Sequence, residues 1–451
     1  MNDILSSQVE LIREVFHYQS RFEGSIMVFK IDYPVTEDSG FPGLVKDLAL
    51  LSKTGFKIII VPGVKENIDE VFRQHDIESS FAQANSPAYD YPVRVTSRQA
   101  IPFVEMAAFD VASKFMTLLS AGRTEAVIGN FVRARGLGIL NGIDTEHTGT
   151  VDKIYADSLV KMLNLGVIPI LPCIGWSPSG KPYNVPSNEI ALAVSSALGA
   201  AKLFILSAHE RLQAEKAKDS VPENFETRPD GSIIRLTIQQ TESLIASCEK
   251  APENRLKLQE LKLALRANRA GIKRVHIIDG REEGAILKEL FSNLGIGTMT
   301  YIDEYESIRP CHSRDITDIL RLMEPLMQKG ILVRRNPEQI QEKKDDYIVL
   351  EIDGSIRACG ALHDWGESQG EIAAVATEPQ YSDLGLGGKI VGFFIEKAKK
   401  KQMKRVFVLT TQTQDWFEGL GFKETAVDTL PKQKRELYDQ NRKSKVFALE
   451  L

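Results

Sequence analysis

Apolar positions follow two periods along the chain. Ile26 to Ile31, Ile58 to Val61, Val167 to Leu171, Lys202 to Leu206 and Val275 to Ile278 are short, nearly continuous apolar runs. Such runs predict strands buried on both faces, as in a parallel sheet. Further strands are predicted near 126–132 and 151–154. Between them, apolar residues recur at helical spacing over Phe41 to Lys53, Ile68 to His75, about 100–121, about 156–164, Asn188 to Leu198, Leu256 to Ala270 and Gly284 to Phe291. This alternation predicts an α/β domain around a mainly parallel sheet. Residues 209–230 are charged, carry Pro222 and Pro229, and read as a loop. After 299–307, read as a linker, the order changes. A helix over 315–328, a short helix over 338–344, a hairpin across Asp353-Gly354, strand 371–376, helix 389–399 and strand 406–410 predict a second, α+β domain. Residues 3–20 predict an amphipathic helix, whose apolar stripe packs on its own domain or on another subunit. The expected division is thus 1–22, helix; 23–298, first domain; 299–307, linker; 308–451, second domain.

Composition narrows the classes. The net charge of −5 gives the chain no general attraction for nucleic acid. The basic run Lys397, Lys399, Lys400, Lys401, Lys404 and Arg405 is a local exception; it reads as a solvated helix end or as a contact for a phosphate. Cys173, Cys248, Cys311 and Cys359 are scattered, with neither disulfide nor metal spacing, so no metal is expected. No apolar run is long enough to cross a membrane, and the N-terminal residues lack a basic-then-apolar signal pattern. The expectation is a cytoplasmic protein with no membrane or nucleic-acid partner.

Candidate chemistry concentrates between Glu371 and Lys399. A strand leads into Ser382-Asp383-Leu384-Gly385-Leu386-Gly387-Gly388 and then into a helix. Glycine lets the backbone approach an anion, and a helix start presents unpaired N–H groups, so a pyrophosphate is the natural guest of Asp383 to Gly388. The backbone of Val375 and Ala376 is placed to pair with an amide-bearing chain as an added strand. Glu371, at the start of that strand, is a candidate proton acceptor. Thr410, ending the neighbouring strand, is a candidate proton donor to a leaving group. Arg334 and Arg335, with Arg442 and Ser444, form two clusters suited to a substrate with two carboxylates.

The order strand, glycine loop, helix, strand, then Trp416-Phe417-Glu418-Gly419-Leu420-Gly421-Phe422 resembles the GNAT-type acetyltransferases, whose loop grips the pyrophosphate of acetyl-CoA. Gly385 and Gly387 fit the loop signature of that family. Ser382 stands where a Gln or Arg is usual, which implies one phosphate contact made by backbone alone. Longer strings are similar to the bacterial N-acetylglutamate synthases: VIGNFVRARGLGILNGIDTEHTGTV, GIKRVHIIDGREEGAILKELFSNLGIGT, GEIAAVATEP, VFVLTTQTQDWFEGLGF and LPKQKRELYDQNRKSKV. That resemblance implies an amino-acid-kinase-like three-layer domain followed by a GNAT domain. It also implies acetyl transfer from acetyl-CoA to L-glutamate, the first step of arginine synthesis. Carried onto this chain, it gives Glu371 as general base, Thr410 as acid, and one of Arg334 and Arg335 together with Lys434, Arg442 and Ser444 as glutamate ligands. Gln412-Thr413 stands where some relatives carry Arg-Ser, a departure that touches substrate contacts there. Acetyltransfer to another amine, or an arginine-responsive binding protein without turnover, are the alternative readings.

Kinase chemistry is not expected of the first domain. Lys30 is followed by Ile31-Asp32-Tyr33 rather than a Gly-Gly pair, Val61-Pro62-Gly63-Val64 replaces a His-Gly-Gly-Gly type loop, and Asn188 stands where an Asp would orient phosphate ligands. No ATP is therefore expected, and the domain reads as regulatory. Its resemblance to the arginine-sensing form of the fold implies L-arginine held by His276, Glu289 and the carbonyl of Gly295, with Tyr18 on the N-terminal helix. It further implies self-association through that helix into a ring, expected as a hexamer.

Overall fold

The computed structural model describes residues 15–16, 19, 22–83, 91–214, 226–249, 255–291, 295–302, 306–352, 355–379 and 385–451. Most of the N-terminal helix expected over 3–20, Tyr18 included, lies outside the described residues, as do Ser382, Asp383, Leu384 and the turn Asp353-Gly354. The chain divides into two units, Met1–Asp303 and Glu304–Leu451.

The β-branched runs are strands of a nine-stranded sheet. Its order is Glu226–Thr227, Ile233–Thr237, Thr298–Tyr301, Arg274–Asp279, Lys202–Ser207, Ile26–Ile31, Lys57–Pro62, Ile168–Ile170, Ala126–Ile128. From Arg274–Asp279 to Ala126–Ile128 every neighbour runs parallel. Successive side chains enter opposite cores: Phe29, Ile31, Ile58 and Ile60 pack under helices Phe41–Lys53 and Ile101–Ala121. Val28, Ile59 and Val61 pack on the other face with helix Ser187–Ala197. Apolar layers on both faces explain why these strands lack the polar alternation of a half-exposed sheet.

Three features of this unit differ from the sequence reading. Residues near 126–132 form not one strand but two: Ala126–Ile128 joins the large sheet, and Val132–Gly136 joins a four-stranded sheet with Gly149–Ile154, Ile174–Trp176 and Pro182–Asn184. Strand Ile233–Thr237 and helix Ile238–Cys248 follow the charged loop; Thr237 and Gln240 exchange hydrogen bonds as a capping box that starts this helix. Both ends of the stretch 299–307 are strand; residues 303–305 lie outside the described residues. Thr298–Tyr301 lies inside the large sheet, where the buried Thr300 hydroxyl donates to Asn268 Oδ1 at 2.6 Å. Glu306–Pro310 already belongs to the second sheet.

The second unit is built on a seven-stranded sheet in the order Glu306–Pro310, Tyr347–Ile352, Ser355–Asp364, Gln369–Thr377, Arg405–Thr410, Lys445–Glu450, Lys423–Thr425. Helix Leu386–Lys400 buries Ile390, Val391, Phe394 and Ala398 on one face, against Ile348, Leu350, Val406 and Phe447. Helix Ile316–Gln328 buries Ile319, Leu322 and Met323 on the other, against Tyr347, Val349 and Ala361.

Candidate functional site

Strands Gln369–Thr377 and Arg405–Thr410 are the one parallel pair of the second sheet. They pair through Gln369↔Arg405, Gly370↔Val406 and Glu371↔Phe407 and no further. Beyond Glu371 the first of them is bulged. Ala373 pairs with Ala361 and Ala376 with Cys359, so Ala374 and Val375 together face Gly360; Ala374 has φ 56°. A left-handed residue in a bulge bends its strand. The two strands therefore part past Glu371 and open a wedge. Val375 and Ala376 lie along one edge of it; on the side facing Arg405–Thr410 no strand pairs with them among the described residues, and that side can take up an amide-bearing chain.

Helix Leu386–Lys400 follows that strand. Gly385 precedes it with φ +63°; among the described residues no side chain caps it, and its first turn holds no acid. The N–H groups of its first turn thus keep the positive end of the helix open to an anion. Gly387 is closely packed: a Cβ there would come 3.1 Å from the Trp416 ring, which would have to give by a few tenths of an ångström. The Leu386 side chain is buried in the core, so only its backbone can serve the loop; Gly388 has looser neighbours.

Glu371 stands at the apex of the wedge and is buried, 5% exposed. Lys434 Nζ reaches both of its oxygens, at 2.8 and 2.7 Å, and Trp365 Nε1 donates to Oε2 at 2.8 Å. Two ammonium groups lie against the Trp365 ring, Lys434 at 4.9 Å and Lys343 at 5.8 Å from its centroid. Lys434, expected on a substrate carboxylate, is thus paired here with the candidate base. Trp365 was not singled out from the sequence. The signal was the hairpin: His363 pairs with Glu371, so a residue just beyond His363 in the connecting loop lies beside the carboxylate.

Thr410 is buried. Its Oγ1 accepts the N–H of Thr413 at 3.0 Å and of Gln412 at 3.3 Å, and lies 2.7 Å from the Thr413 hydroxyl. The N–H groups occupy acceptor positions, which leaves the Thr410 proton to be donated.

Of the two arginines after the apolar run, Arg334 is exposed and Arg335 turns inward. Arg335 Nη1 is buried and has no hydrogen-bond partner among the described residues. Arg442 donates from Nη2 to Ile331 O at 2.6 Å and to Gly330 O at 3.3 Å. Burial, and then the neighbouring charge of Arg335, push the Arg442 guanidinium below its usual range, against the pull of Asp439. Two cationic heads that raise each other's energy are stabilised by a carboxylate placed between them. Ser444 is buried; its carbonyl accepts the Tyr438 hydroxyl at 2.5 Å after a left-handed turn at Lys443, φ 52°.

In the first unit, His276 Nδ1 lies 2.6 Å from Glu289 Oε1. Glu289 Oε2 accepts the N–H groups of Ile296 and Gly297, each at 2.7 Å. Burial raises the pKa of this carboxyl, but the His276 contact and the two backbone donors outweigh it and bring it down to about 2. Gly295 has φ +58°, and a Cβ there would strike the Glu289 carboxylate, so glycine is required on both counts. Elsewhere in the unit, Lys30, Asp32, Gly63 and Asn188 line one cleft, in which the Lys30 ammonium is ion-paired with Asp32. Among the described residues no cluster of His, Cys, Asp and Glu is suited to a metal ion, and no helix is long and apolar enough to cross a membrane.

Comparison with known proteins agrees with this architecture. Residues 34–218 match the amino acid kinase family and residues 315–422 the acetyltransferase (GNAT) family. The amino-acid acetyltransferases of Escherichia coli strain K12 and Photobacterium profundum are each 32% identical to this chain, over 98% of it and 98% of their own length. The crystal structure of N-acetylglutamate synthase from Neisseria gonorrhoeae with coenzyme A and L-arginine is similar at 30% identity and a TM-score of 0.80, covering 98% of this chain and 99% of that one. The same enzyme with coenzyme A and N-acetyl-glutamate gives a TM-score of 0.58 over the same shares. Such similarity along the whole length of both partners, on a kinase-type unit followed by a GNAT unit, makes this chain a member of the amino-acid acetyltransferase family.

Proposed function

We propose that the second unit transfers the acetyl group of acetyl-CoA to the amine of L-glutamate, the entry step of arginine biosynthesis, and that the first unit is a non-catalytic sensor of L-arginine. The observation that carries the reading is the wedge: strand pairing stops at a buried carboxylate, Glu371, beside an unpaired edge and an uncapped helix start. The pantetheine arm pairs with Val375 and Ala376, and the diphosphate sits on the N–H groups from Asp383 to Gly388. Arg335 and Arg442, with Ser444, take the two carboxylates of glutamate, and Arg334 stays outside. Lys434 reaches the substrate from its present place on Glu371.

Chemistry then needs the nitrogen to lose two protons and the sulfur to gain one. Glu371 takes a proton from the substrate ammonium, directly or through one water, and the amine attacks the thioester carbonyl. The C–N bond forms, the tetrahedral intermediate collapses, and the C–S bond breaks. Thr410 gives a proton to the departing thiolate, and the second proton shed by the acylated nitrogen restores its hydroxyl. Thr410 lies three residues beyond Phe407, the partner of Glu371, about 10 Å along the strand at ~3.3 Å per residue. Amine, carbonyl and sulfur fill that interval. Two donors, making three hydrogen bonds, fix the direction of the Glu371 carboxylate and suit the positioning that such a transfer needs.

The first unit keeps a kinase-like fold, but Lys30, in the cleft where a kinase would hold phosphate, is ion-paired with Asp32. Arginine is held by His276, Glu289 and Gly295, with Tyr18 completing the site. The chain works in the cytoplasm as a homo-oligomer, a hexamer being the expected ring. The test is thiol release from acetyl-CoA with L-glutamate, with and without L-arginine. Release with glutamate supports the reading; release only with other amines assigns a different acceptor; none at all leaves a binding protein.

A further inference from the structure

The chain places a guanidinium of its own on the groups read as arginine ligands. Arg228-Pro229-Asp230-Gly231 forms the turn between strands Glu226–Thr227 and Ile233–Thr237. The Arg228 N–H donates to Ser232 O and the Gly231 N–H to Arg228 O, both at 2.9 Å. Asp230 Oδ1 takes the N–H and the hydroxyl of Ser232, at 2.9 and 2.6 Å, which stiffens the turn. From it the Arg228 side chain reaches the loop that holds Glu289. Nε donates to Gly295 O at 3.3 Å and Nη2 to Gly297 O at 2.6 Å. Nη1 is anchored on Ser232 Oγ at 3.2 Å and Ile233 O at 3.3 Å. Glu289, which binds the N–H of the same Gly297, favours the cationic form of Arg228 against the cost of its burial.

This is the chemistry expected of a free arginine: a planar fork donating to the glycine carbonyl, with the Glu289 carboxylate as neighbouring charge. We infer that Arg228 is a tethered surrogate of the arginine effector, and that L-arginine gains the Gly295 carbonyl and the field of Glu289 only by displacing it. The inference rests on the proposed assignment of His276, Glu289 and Gly295 to the effector. A group on a short tether competes at an effective concentration in the millimolar range. The apparent affinity for free arginine is scaled down by the fraction of molecules in which Arg228 is unseated. The firmness of the Arg228 turn thereby sets the arginine level to which the sensor responds.

Calorimetric titration of L-arginine into the full chain and into Arg228→Met tests this. The Met variant is expected to bind L-arginine on the order of tenfold more tightly than the unsubstituted chain. Arg228→Lys keeps the charge without the fork, so it is expected between the two, and it carries the test if the Met variant does not fold. Methylguanidine is expected to raise the melting temperature of the Met variant and leave that of the unsubstituted chain in place. Equal affinity across all three proteins, or weaker binding after substitution, overturns the surrogate. Glu289→Gln separates the two readings. If it weakens arginine binding while the Arg228 variants do not strengthen it, only the surrogate fails. If it leaves arginine binding unchanged, the effector assignment fails and takes the surrogate with it.

Discussion

Two buried carboxylates, one in each unit, are held in opposite ways. Glu289 and Glu371 are 8% and 5% exposed; Glu289 is met by three nitrogen atoms, Glu371 by two that make three contacts. Two of the three around Glu289 are backbone N–H groups, fixed by the course of the chain from Ile296 to Gly297. Those around Glu371 are both side chains, an indole and an ammonium on a long stem. Backbone donors cannot leave without unfolding the segment, so Glu289 is suited to a fixed charge that shapes its loop. Side-chain donors can change partners, so Glu371 is suited to passing a proton. What surrounds a buried acid, more than its depth, separates a structural charge from a reactive one.

Substitution sharpens the contrast. Glu371→Gln keeps the shape and removes the base, and is expected to lower kcat by about 100-fold or more in the thiol-release assay; an unchanged rate removes Glu371 from the mechanism. Glu289→Ala acts on stability, because His276 loses its buried partner; a loss of about 3 kcal/mol is expected in urea unfolding. The same carboxyl gives a signed pH dependence. Its folded pKa of about 2 lies below the ordinary 4.5, so its contribution is complete above pH 4.5 and is lost as the pH falls towards 2. Acid titration of stability is expected to be flatter over that window in Glu289→Gln. Trp365→Phe keeps an aromatic ring beside the two ammonium groups and removes the N–H. It is expected to lower kcat by roughly tenfold at most, with the KM for glutamate little changed, as the loss of one hydrogen bond to a charged group requires. Gly387→Ala is the mildest: the Trp416 ring must give by a few tenths of an ångström, and the KM for acetyl-CoA is expected to rise by roughly threefold or less, a cost below 1 kcal/mol.

Most of the framework was legible because both faces of each parallel strand are covered, and such strands announce themselves as unbroken apolar runs. Thr298–Tyr301 escaped because its threonines read as linker, although Thr300 is buried and satisfied by Asn268. Helix Ile238–Cys248 escaped despite a readable start, Thr237 followed three residues later by Gln240. At the candidate site, Glu371, Thr410 and the glycines were legible as residue types at strand and helix ends. The wedge was not. It depends on Ala374 at positive φ, and alanine carries no sign of that conformation. The pairing of Lys434 with Glu371, and the placing of Arg335 rather than Arg334 beside Arg442, come from long-range packing that local pattern does not encode.

The strand Lys445–Glu450 is the last of its sheet to be synthesised, yet it lies between Arg405–Thr410 and Lys423–Thr425. Its two neighbours share no strand pairing of their own among the described residues and meet through a side-chain contact, Arg405 Nη2 donating to Thr425 Oγ1 at 3.3 Å, so their common ladder exists only once this strand has been made. The acetyl-transfer unit therefore closes late and from within. Cutting the chain ahead of Lys445 would strip both neighbours of their shared rung at once, leaving two bare edges in place of one.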